Sequence, residues 1–542
     1  MSEHDFAITL EVGSSRANKT GSWRVERPVY VDRMPPCNDA CPAGENIQHW
    51  LYLAEEAKYE SAWRALVEDN PIPATSGRIC FHPCETACNR GQLDEAVGIH
   101  AVERFLGDNA IEKGWSFAPP PTKSGKRVLV VGSGPSGLSV AYHLLRLGHY
   151  VEILESSSAP GGMMRYGIPR YRLPREILDL EIARIEELGV KITCGHRVAD
   201  VEEEMAVGQF DAAYLAFGAQ LSRKTAIPAA DTARIIDALD LLRSTEDSVP
   251  FEIGQRVVVY GGGDTAMDAA RTARRLGATD TVIVYRRNRE KMPAHAVEFE
   301  EALSEGVTVR WLSTIAEFSP DKIVVEKMAL DETGFPQPTG EFSELGADAV
   351  VLALGEEPDL SGLAHLSGIE ITDGTLEVDE DMMTGRPGVF AGGDMVPSER
   401  TATVAIGHGK KAARAIDRWL RGGKAPPLER HSLASFERLN TWYYSDAPKQ
   451  IQKELELARR QSTFDEVVSG FDESNALFEA RRCMSCGNCF DCDNCYGVCP
   501  DNAVSKLGSG KRYEFNYDYC KGCGICVAEC PCGAIEMVPE LI

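Results

Sequence analysis

Hydrophobic positions divide the chain into stretches with different periods. From Lys126 to about Leu420, short β-rich apolar runs alternate with stretches whose apolar residues recur every three to four positions. That alternation predicts strands and helices in turn, as in a parallel α/β sheet. Arg127-Val-Leu-Val-Val131 and Arg256-Val-Val-Val-Tyr260 are apolar almost throughout, as strands covered on both faces are. Asp211-Ala-Ala-Tyr-Leu-Ala-Phe-Gly218 and Asp348-Ala-Val-Val-Leu-Ala-Leu-Gly355 echo one another as buried strands ending in glycine. Ahead of this region, Trp50, Leu53, Trp63 and Leu66 stand at helical spacing within a helical segment from 36 to about 118. Residues 1–35 are polar and aperiodic, which predicts an arm, and the proline-rich stretch 118–125 reads as a linker. Beyond Arg421 a Gly/Pro joint leads into a charged stretch to Asn475 that reads as a helical bridge, and a small terminal unit follows.

The chain has 542 residues and 82 acidic against 57 basic side chains, a formal net charge of −25. Such a surface excludes a general nucleic-acid binder, because phosphate requires basic groups. No basic and apolar leader opens the sequence, and no run of about 18 apolar residues occurs, so neither export nor a membrane span is expected. Of the 17 cysteines, eleven lie between Cys483 and Cys532 and five between Cys37 and Cys88, leaving Cys194 alone as a core thiol. Close CxxC spacings in a long chain point to metal and a reducing cytoplasm rather than to disulfides.

The strand ending at Val131 runs directly into Gly132-Ser-Gly134-Pro135-Ser136-Gly137 and then into an amphipathic helix. The glycines permit a tight turn and close approach of backbone to a pyrophosphate, and the helix N-terminus favours its charge. Glu155 ends the next strand, where a carboxylate can bond ribose hydroxyls. A second such opening is Gly261-Gly-Gly263-Asp264-Thr265-Ala266, with Ala266 in place of the third glycine. Its following strand ends not in an acid but in Arg286-Arg287. Guanidinium groups there suit a 2′-phosphate, which favours NADPH over NADH, although arginines lying over the adenine would tolerate either.

The most specific pattern is at the C-terminus. Cys489-x2-Cys492-x2-Cys495-x3-Cys499-Pro and Cys520-x2-Cys523-x2-Cys526-x3-Cys530-Pro match the bacterial two-cluster ferredoxin run. On that pairing Cys489, Cys492, Cys495 and Cys530 hold one [4Fe–4S] centre, and Cys520, Cys523, Cys526 and Cys499 the other. Cys483-x2-Cys486 is also ligand-like, so the first register could slide upstream, and Cys532 is left over in either register.

Gly161-Gly162-Met-Met-Arg-Tyr-Gly-Ile-Pro169, Gly388-Val-Phe-Ala-Gly-Gly393-Asp394 and Thr401-Ala402-Thr403-Val404 follow downstream. Together with the two glycine loops they resemble the two-dinucleotide flavoprotein superfamily. The resemblance implies FAD at the first loop, with Asp394 on the ribityl chain. It also implies that the glycine-ended strands mark crossings, so that a NAD(P) domain (221–356) interrupts an FAD domain (121–220 and 357–425). A helical linker (426–475) and a two-cluster ferredoxin-like domain (476–542) would follow. The expected fold is therefore α/β, with one Rossmann-like domain inserted in another, an all-α iron–sulfur domain in front (1–120) and an α+β tail.

Cys37-x3-Cys41-Pro, Cys80-x3-Cys84-x3-Cys88 and Ala101-Val-Glu103-Arg-Phe105 resemble the iron–sulfur domain of the glutamate synthase small-subunit family. That family usually carries two clusters there. Here Tyr30-Val-Asp-Arg33 stands where it has a CxxC, and Ser76 replaces a further cysteine. The resemblance implies one surviving [4Fe–4S] cluster on Cys41, Cys80, Cys84 and Glu103, with Cys37 and Cys88 as remnants; a four-thiolate site using Cys37 or Cys88 is the rival. The fused tail and depleted front place the chain nearest the branch associated with dissimilatory sulfite reductase.

No Ser/His/Asp or Cys/His catalytic constellation appears. The implied activity is electron transfer between NAD(P)H, FAD and [4Fe–4S] clusters, reversible in principle. The acceptor would be a protein redox partner, a ferredoxin or an iron–sulfur enzyme such as a sulfite reductase or 2-oxoacid oxidoreductase, in a hetero-complex or from a homodimer. The alternative is the small subunit of NADPH-dependent glutamate synthase. A third is a non-enzymatic subunit whose clusters mainly hold a complex together.

Overall fold

In the computed structural model the described residues are 19–540 apart from 121, 224, 226, 230–233, 247–251, 364, 424–430 and 509. Residues 1–18 of the expected arm and most of the expected Gly/Pro joint lie outside them.

The first parallel sheet orders its strands Val389–Ala391, Ala212–Leu215, Arg127–Val131, Tyr150–Leu154 and Lys191–Thr193. Val131 pairs with Leu154 on one side and Leu215 on the other, so three strand ends reach one level. Leu129, Val130, Ala213 and Tyr214 are fully buried, because helices cover both faces. The helices Pro135–Arg146 and Ala402–Arg421 pack against each other over this sheet.

The second sheet is built alike, in the order Thr308–Arg310, Asp280–Val284, Arg256–Gly261, Ala349–Ala353 and Ile235–Asp237. A three-stranded antiparallel sheet, Ser313–Ser319, Lys322–Leu330 and Pro336–Gly346, buries Phe318, Ile323 and Val325 against it. The chain crosses out of the first unit at Leu221–Ser222 and back at Glu356–Glu357, and these two crossings pair antiparallel. One dinucleotide-type fold is thus inserted in the other.

The front unit is helical, with Trp50 and Trp63 fully buried at its core. The stretch carrying Trp50, Leu53, Trp63 and Leu66 at helical spacing is two helices, Ile47–Glu55 and Tyr59–Leu66, parted by Ala57 at φ 55°. The expected arm is in part a strand. Glu26–Tyr30 pairs antiparallel with Ile535–Pro539, and the Arg24 guanidinium grips the Glu540 carboxylate at 2.6 Å. Two chain ends thereby share one small sheet, so the 476–542 unit is completed by residues from the front.

The expected helical bridge is not one. Among described residues from 431 to 472, only Phe436–Arg438, Thr441–Tyr443 and Leu457–Arg460 are helical, none longer than four residues. The rest is a strap laid over the joints between units. Its side chains have partners on neighbouring elements instead of a face of their own: Lys449 pairs with Glu85 at 2.6 Å and Gln452 meets His100 at 2.8 Å. Arg460 joins Arg271 and Arg275 around the fully buried Glu305. No helix among the described residues is long and apolar enough to cross a membrane.

Candidate functional site

A single cleft of about 1520 Å³ runs between the two sheets and is lined by both glycine loops. Gly132, Gly134, Pro135, Ser136, Glu155, Gly162, Gly393, Asp394, Thr401 and Ala402 line its first half. Gly261, Gly263, Asp264, Thr265, Arg286 and Arg287 line the second. The topology explains the convergence: all these residues follow the carboxyl ends of parallel strands, where open α/β sheets leave a crevice. A cleft of this size suits an extended FAD and a nicotinamide dinucleotide together.

Both helix N-termini are made to face an anion. The helices Pro135–Arg146 and Asp264–Arg275 start after Gly134 and Gly263, and neither start is capped by a side chain. Their first N–H groups are free to meet a pyrophosphate. A Cβ on Gly263 would project into open space, so that backbone is bare toward the cleft. Glu155 Oε2 accepts from Ser133 N at 2.8 Å and Ser133 Oγ at 2.6 Å, which pins the first glycine loop. Glu155 Oε1 accepts from Ser157 N at 2.7 Å and Ser156 Oγ at 3.3 Å, so a ribose hydroxyl would take the place of the longer Ser156 contact. Burial pushes the Asp394 carboxyl up to about 6, and Arg400 opposes the rise. In the second half, the buried Arg287 Nε has no partner in the protein, which fits a phosphate ligand.

Three of the expected residues do not reach this cleft. Gly137 and Ala266 sit beneath their loops; a Cβ on Gly137 would lie 2.0 Å from the Gly132 carbonyl oxygen, so only glycine allows that turn. Thr403 faces the other way, with its Oγ1 3.8 Å from Cys80 Sγ.

That contact leads to the first thiol group. Cys41 ends the helix Pro36–Ala40, Cys80 ends Pro73–Ile79, and Cys84 lies in Pro83–Thr86. With Glu103 from the helix Ile99–Glu112 they enclose one buried spot beside the cleft residues Ile79 and Phe81. Burial pushes the Cys84 thiol up, and Cys80, Cys41 and Glu103 raise it further. Burial likewise raises Glu103, assisted by the charges of Glu45 and Glu181. Asn70 Nδ2 donates to Glu45 at 2.9 Å and Glu103 at 3.0 Å, but it brings no charge. Lys410, which eases Glu45, is itself paired with Asp69 at 2.7 Å. Three thiols and two carboxylates gathered with no free cation among the described residues are a donor set that fits a metal cluster.

In the tail, burial pushes Cys495 up to about 12, and Cys489, Cys492 and Cys530 are among the groups raising it. Burial also raises Cys526, with Cys520, Cys495, Cys499 and Cys523 adding to it. Tyr30 Oη lies 3.3 Å from Cys495 Sγ, and Ala503 N donates to Cys499 Sγ at 3.3 Å. The thiols around Cys495 are those expected of one crossed group, whereas Cys526 meets thiols of both, and the hydrogen bonds to sulfur are of the kind that tunes such centres. Cys532 is buried beside Cys530, with 3.8 Å between sulfurs. Cys194 is exposed, not a core thiol, because it follows the edge strand Lys191–Thr193.

Sequence reasoning passed over Phe81 and His295. Their rings stack with centroids 3.4 Å apart, joining the first thiol group to the second glycine loop through the 2.8 Å His295 Nδ1–Asp264 contact. No local pattern marks either residue. It also passed over His82, Glu85 and His100, which cluster behind Cys84; His100 Nδ1 lies 2.6 Å from Glu85.

Comparison with known proteins agrees with this layout. Residues 126–409 match the pyridine nucleotide-disulphide oxidoreductase family. Residues 25–115 match dihydropyrimidine dehydrogenase domain II, 4Fe-4S cluster, and residues 513–536 a 4Fe-4S binding domain. The β subunit of the NADP(+)-dependent formate dehydrogenase of Moorella thermoacetica is 36% identical over 505 residues, covering 83% of this chain and 70% of that one. The β subunit of the NADPH-Fe(3+) oxidoreductase of Geobacter sulfurreducens is 32% identical, over 85% of this chain and 77% of that one. The glutamate synthase [NADPH] small chain of Mycobacterium tuberculosis is 33% identical over 73% and 87%.

Proposed function

The chain belongs to the pyridine nucleotide-disulphide oxidoreductase family, flanked by 4Fe-4S regions, and on that premise we propose that it conducts electrons between NADPH and a protein partner through FAD and its clusters. It is an NAD(P)H-dependent iron–sulfur flavoprotein oxidoreductase. A flavin exchanges electron pairs with a nicotinamide and single electrons with an iron–sulfur centre, and that is the chemistry the bound group supplies.

The residues of the chain bind, align and shield. Gly132, Gly134 and Ser136 present backbone to the FAD pyrophosphate, Glu155 takes the ribose, and Asp394 takes the ribityl chain. Gly261, Gly263 and Thr265 cradle the second pyrophosphate, and Arg286 and Arg287 bind the 2′-phosphate. Cys41, Cys80, Cys84 and Glu103 hold the flavin-side cluster, while the crossed tail sets hold two more. One observation carries this reading: Ile79 and Phe81, which flank Cys80, are themselves walls of the dinucleotide cleft. The first cluster would therefore adjoin the flavin with no intervening layer.

The relatives named above are subunits or a small chain of larger enzymes, which supports work in a hetero-complex. The partner we propose is a ferredoxin or an iron–sulfur enzyme, such as a sulfite reductase or 2-oxoacid oxidoreductase, in a reducing cytoplasm. An anaerobic titration with NADPH, and separately NADH, tests this. Flavin and cluster absorbance should bleach together, NADPH being the better donor. Flavin that neither nucleotide reduces would refute the reading.

A further inference from the structure

We propose that Cys37, Cys88, Cys483 and Cys486 hold a fourth iron–sulfur centre, formed between the front unit and the tail and bridging the flavin-side cluster to the ferredoxin pair. The inference rests on the electron-transfer reading above, but its ligand set lies partly outside every matched region: Cys483 and Cys486 belong to neither 25–115 nor 513–536.

The first ground is convergence. Cys37 lies in the helix Pro36–Ala40, just before Cys41, and Cys88 follows the helix Pro83–Thr86 that carries Cys84; the two short helices pack together. Opposite them the tail brings Cys483 and Cys486. Arg90 donates to the Arg482 carbonyl at 2.8 Å, which fastens the residue before Cys483 to the loop after Cys88. Arg482, 2% exposed, donates in return to the Glu95 carbonyl at 2.6 Å. Asn488 donates to the Arg33 carbonyl at 3.0 Å and to Gln48 at 2.8 Å. At Gly487 a Cβ would lie 2.6 Å from Arg33 Cβ, so the two segments touch at backbone distance. Burial raises the Cys37 thiol, and the charges it meets next are those of Cys483, Cys88 and Cys486.

The second ground is loop shape. In Cys489–Cys492 and Cys520–Cys523 the residue before the second cysteine is left-handed: Asp491 at φ 58° and Gly522 at φ 73°. Cys483–Cys486 repeats this at Ser485, φ 47°, where serine gains nothing from the conformation by itself. The loop is bent as the ligand loops are, so that both thiols point to one side.

The third ground is the hydrogen bonding of the sulfurs. Burial raises the Cys88, Cys483 and Cys486 thiols, and neighbouring donors oppose the rise: the backbone at Val97, Arg90 and Gly91 for Cys88, at Ser485 for Cys483, and the Asn89 side chain for Cys486. Donors aimed at sulfur stabilise thiolates, the form that binds iron. With this set assigned, only Cys194 and Cys532 of all the cysteines lie outside a ligand group.

The four centres then follow one another along shared segments: Cys37 and Cys41 within and just past one short helix, Cys486 and Cys489 across Gly487-Asn488, Cys495 and Cys499 across Tyr496-Gly497-Val498. Adjoining ligands are separated by three or four residues, at most about 14 Å of chain. Single electrons pass from the flavin-side cluster through this centre to the tail, and no bond is made or broken.

Iron and acid-labile sulfide per FAD decide the matter in the full-length protein. About sixteen irons are expected for four centres. Cys483→Ala with Cys486→Ala should leave about twelve, Cys37→Ala with Cys88→Ala about twelve, and all four together still about twelve, because one centre is lost in each case. Cys532→Ala should lose none. About twelve irons in the unaltered protein, zinc on these four thiols, or about eight irons in the quadruple variant would overturn the proposal. The unaltered protein's count stands even if a variant fails to fold. In the Cys483/Cys486 variant, NADPH should still reduce the flavin and its adjoining cluster, while the tail clusters reduce at least tenfold more slowly. A flavin that NADPH does not reduce would count against the donor assignment, and the iron count would then decide this centre independently.

Discussion

Phe81 and His295 lie face to face, ring centroids 3.4 Å apart and planes within 4° of parallel. Phe81 follows the thiol Cys80, and His295 is tied to Asp264 in the second glycine loop by 2.8 and 2.9 Å contacts. The pair sets the nucleotide domain against the front unit at the point where flavin and first cluster would meet. A stacked aromatic pair is worth about 1 kcal/mol beyond its buried area. His295→Ala should slow flavin reduction by NADPH roughly five- to tenfold, with FAD and iron contents unchanged. Stopped-flow absorbance measures it, and an unaltered rate would make the stack incidental to catalysis.

Arg286 and Arg287 line the second half of the cleft, and Arg287 Nε is buried without a partner. Replacing both by alanine should weaken NADPH about 100-fold and NADH less than about threefold, because charge-assisted hydrogen bonds to the 2′-phosphate contribute about 1.5–3 kcal/mol each. Equal losses for the two nucleotides would remove these residues as the selectors.

Asp394 should make the flavin-free protein sensitive to pH. Burial raises its carboxyl from 3.8 to about 6, so ionising it costs stability in the folded chain. The cost is absent below the unfolded value and complete above about 6. Asp394→Asn should therefore stabilise the flavin-free protein by about 2 kcal/mol at pH 8 and by nothing near pH 4, while weakening FAD. Thermal unfolding at the two pH values tests the sign; an equal gain at both would exclude ionisation as its origin.

Glu305 is fully buried and holds Arg271 at 2.9 Å and Arg275 at 2.6 Å. Burial pushes its carboxyl up, but the two guanidinium groups outweigh that and hold it below the usual range. Its contribution is present above about pH 4.5 and lost as acid titrates the folded carboxylate. Glu305→Gln should destabilise by about 3–5 kcal/mol at pH 7, because it strands buried guanidinium charge, and should flatten the acid side of the stability profile. Denaturant unfolding across pH measures both; a loss under about 1 kcal/mol would mean solvent reaches the cluster.

What was legible in the sequence is local. Each glycine loop with the acid or arginines that end its next strand, and each cysteine run of the tail, lies within one short stretch of chain. Loop geometry there follows from spacing, and spacing is written in the chain. The helical reading of the 431–472 strap failed because its charged residues looked like a helix surface, whereas Lys449, Gln452 and Arg460 are engaged with partners on distant elements. Thr403 was read as a cleft residue from its neighbours Thr401 and Ala402, yet its position in the first turn of Ala402–Arg421 turns it to Cys80 instead.

The chain by itself determined that it carries two dinucleotide loops and thiol groups of cluster spacing, since turn shape and ligand reach are short-range properties. It left Cys37 and Cys88 looking like relics and Cys483 and Cys486 like a slipped register. Only the tertiary structure decided that these four face one another, because Arg90, Arg482, Asn488 and Gly487 draw the tail against the front unit through contacts between residues far apart in the chain. Closing a loop of that length carries no periodicity or spacing of its own; its cost grows only slowly with length and is met by packing, so nothing in the local pattern announces it.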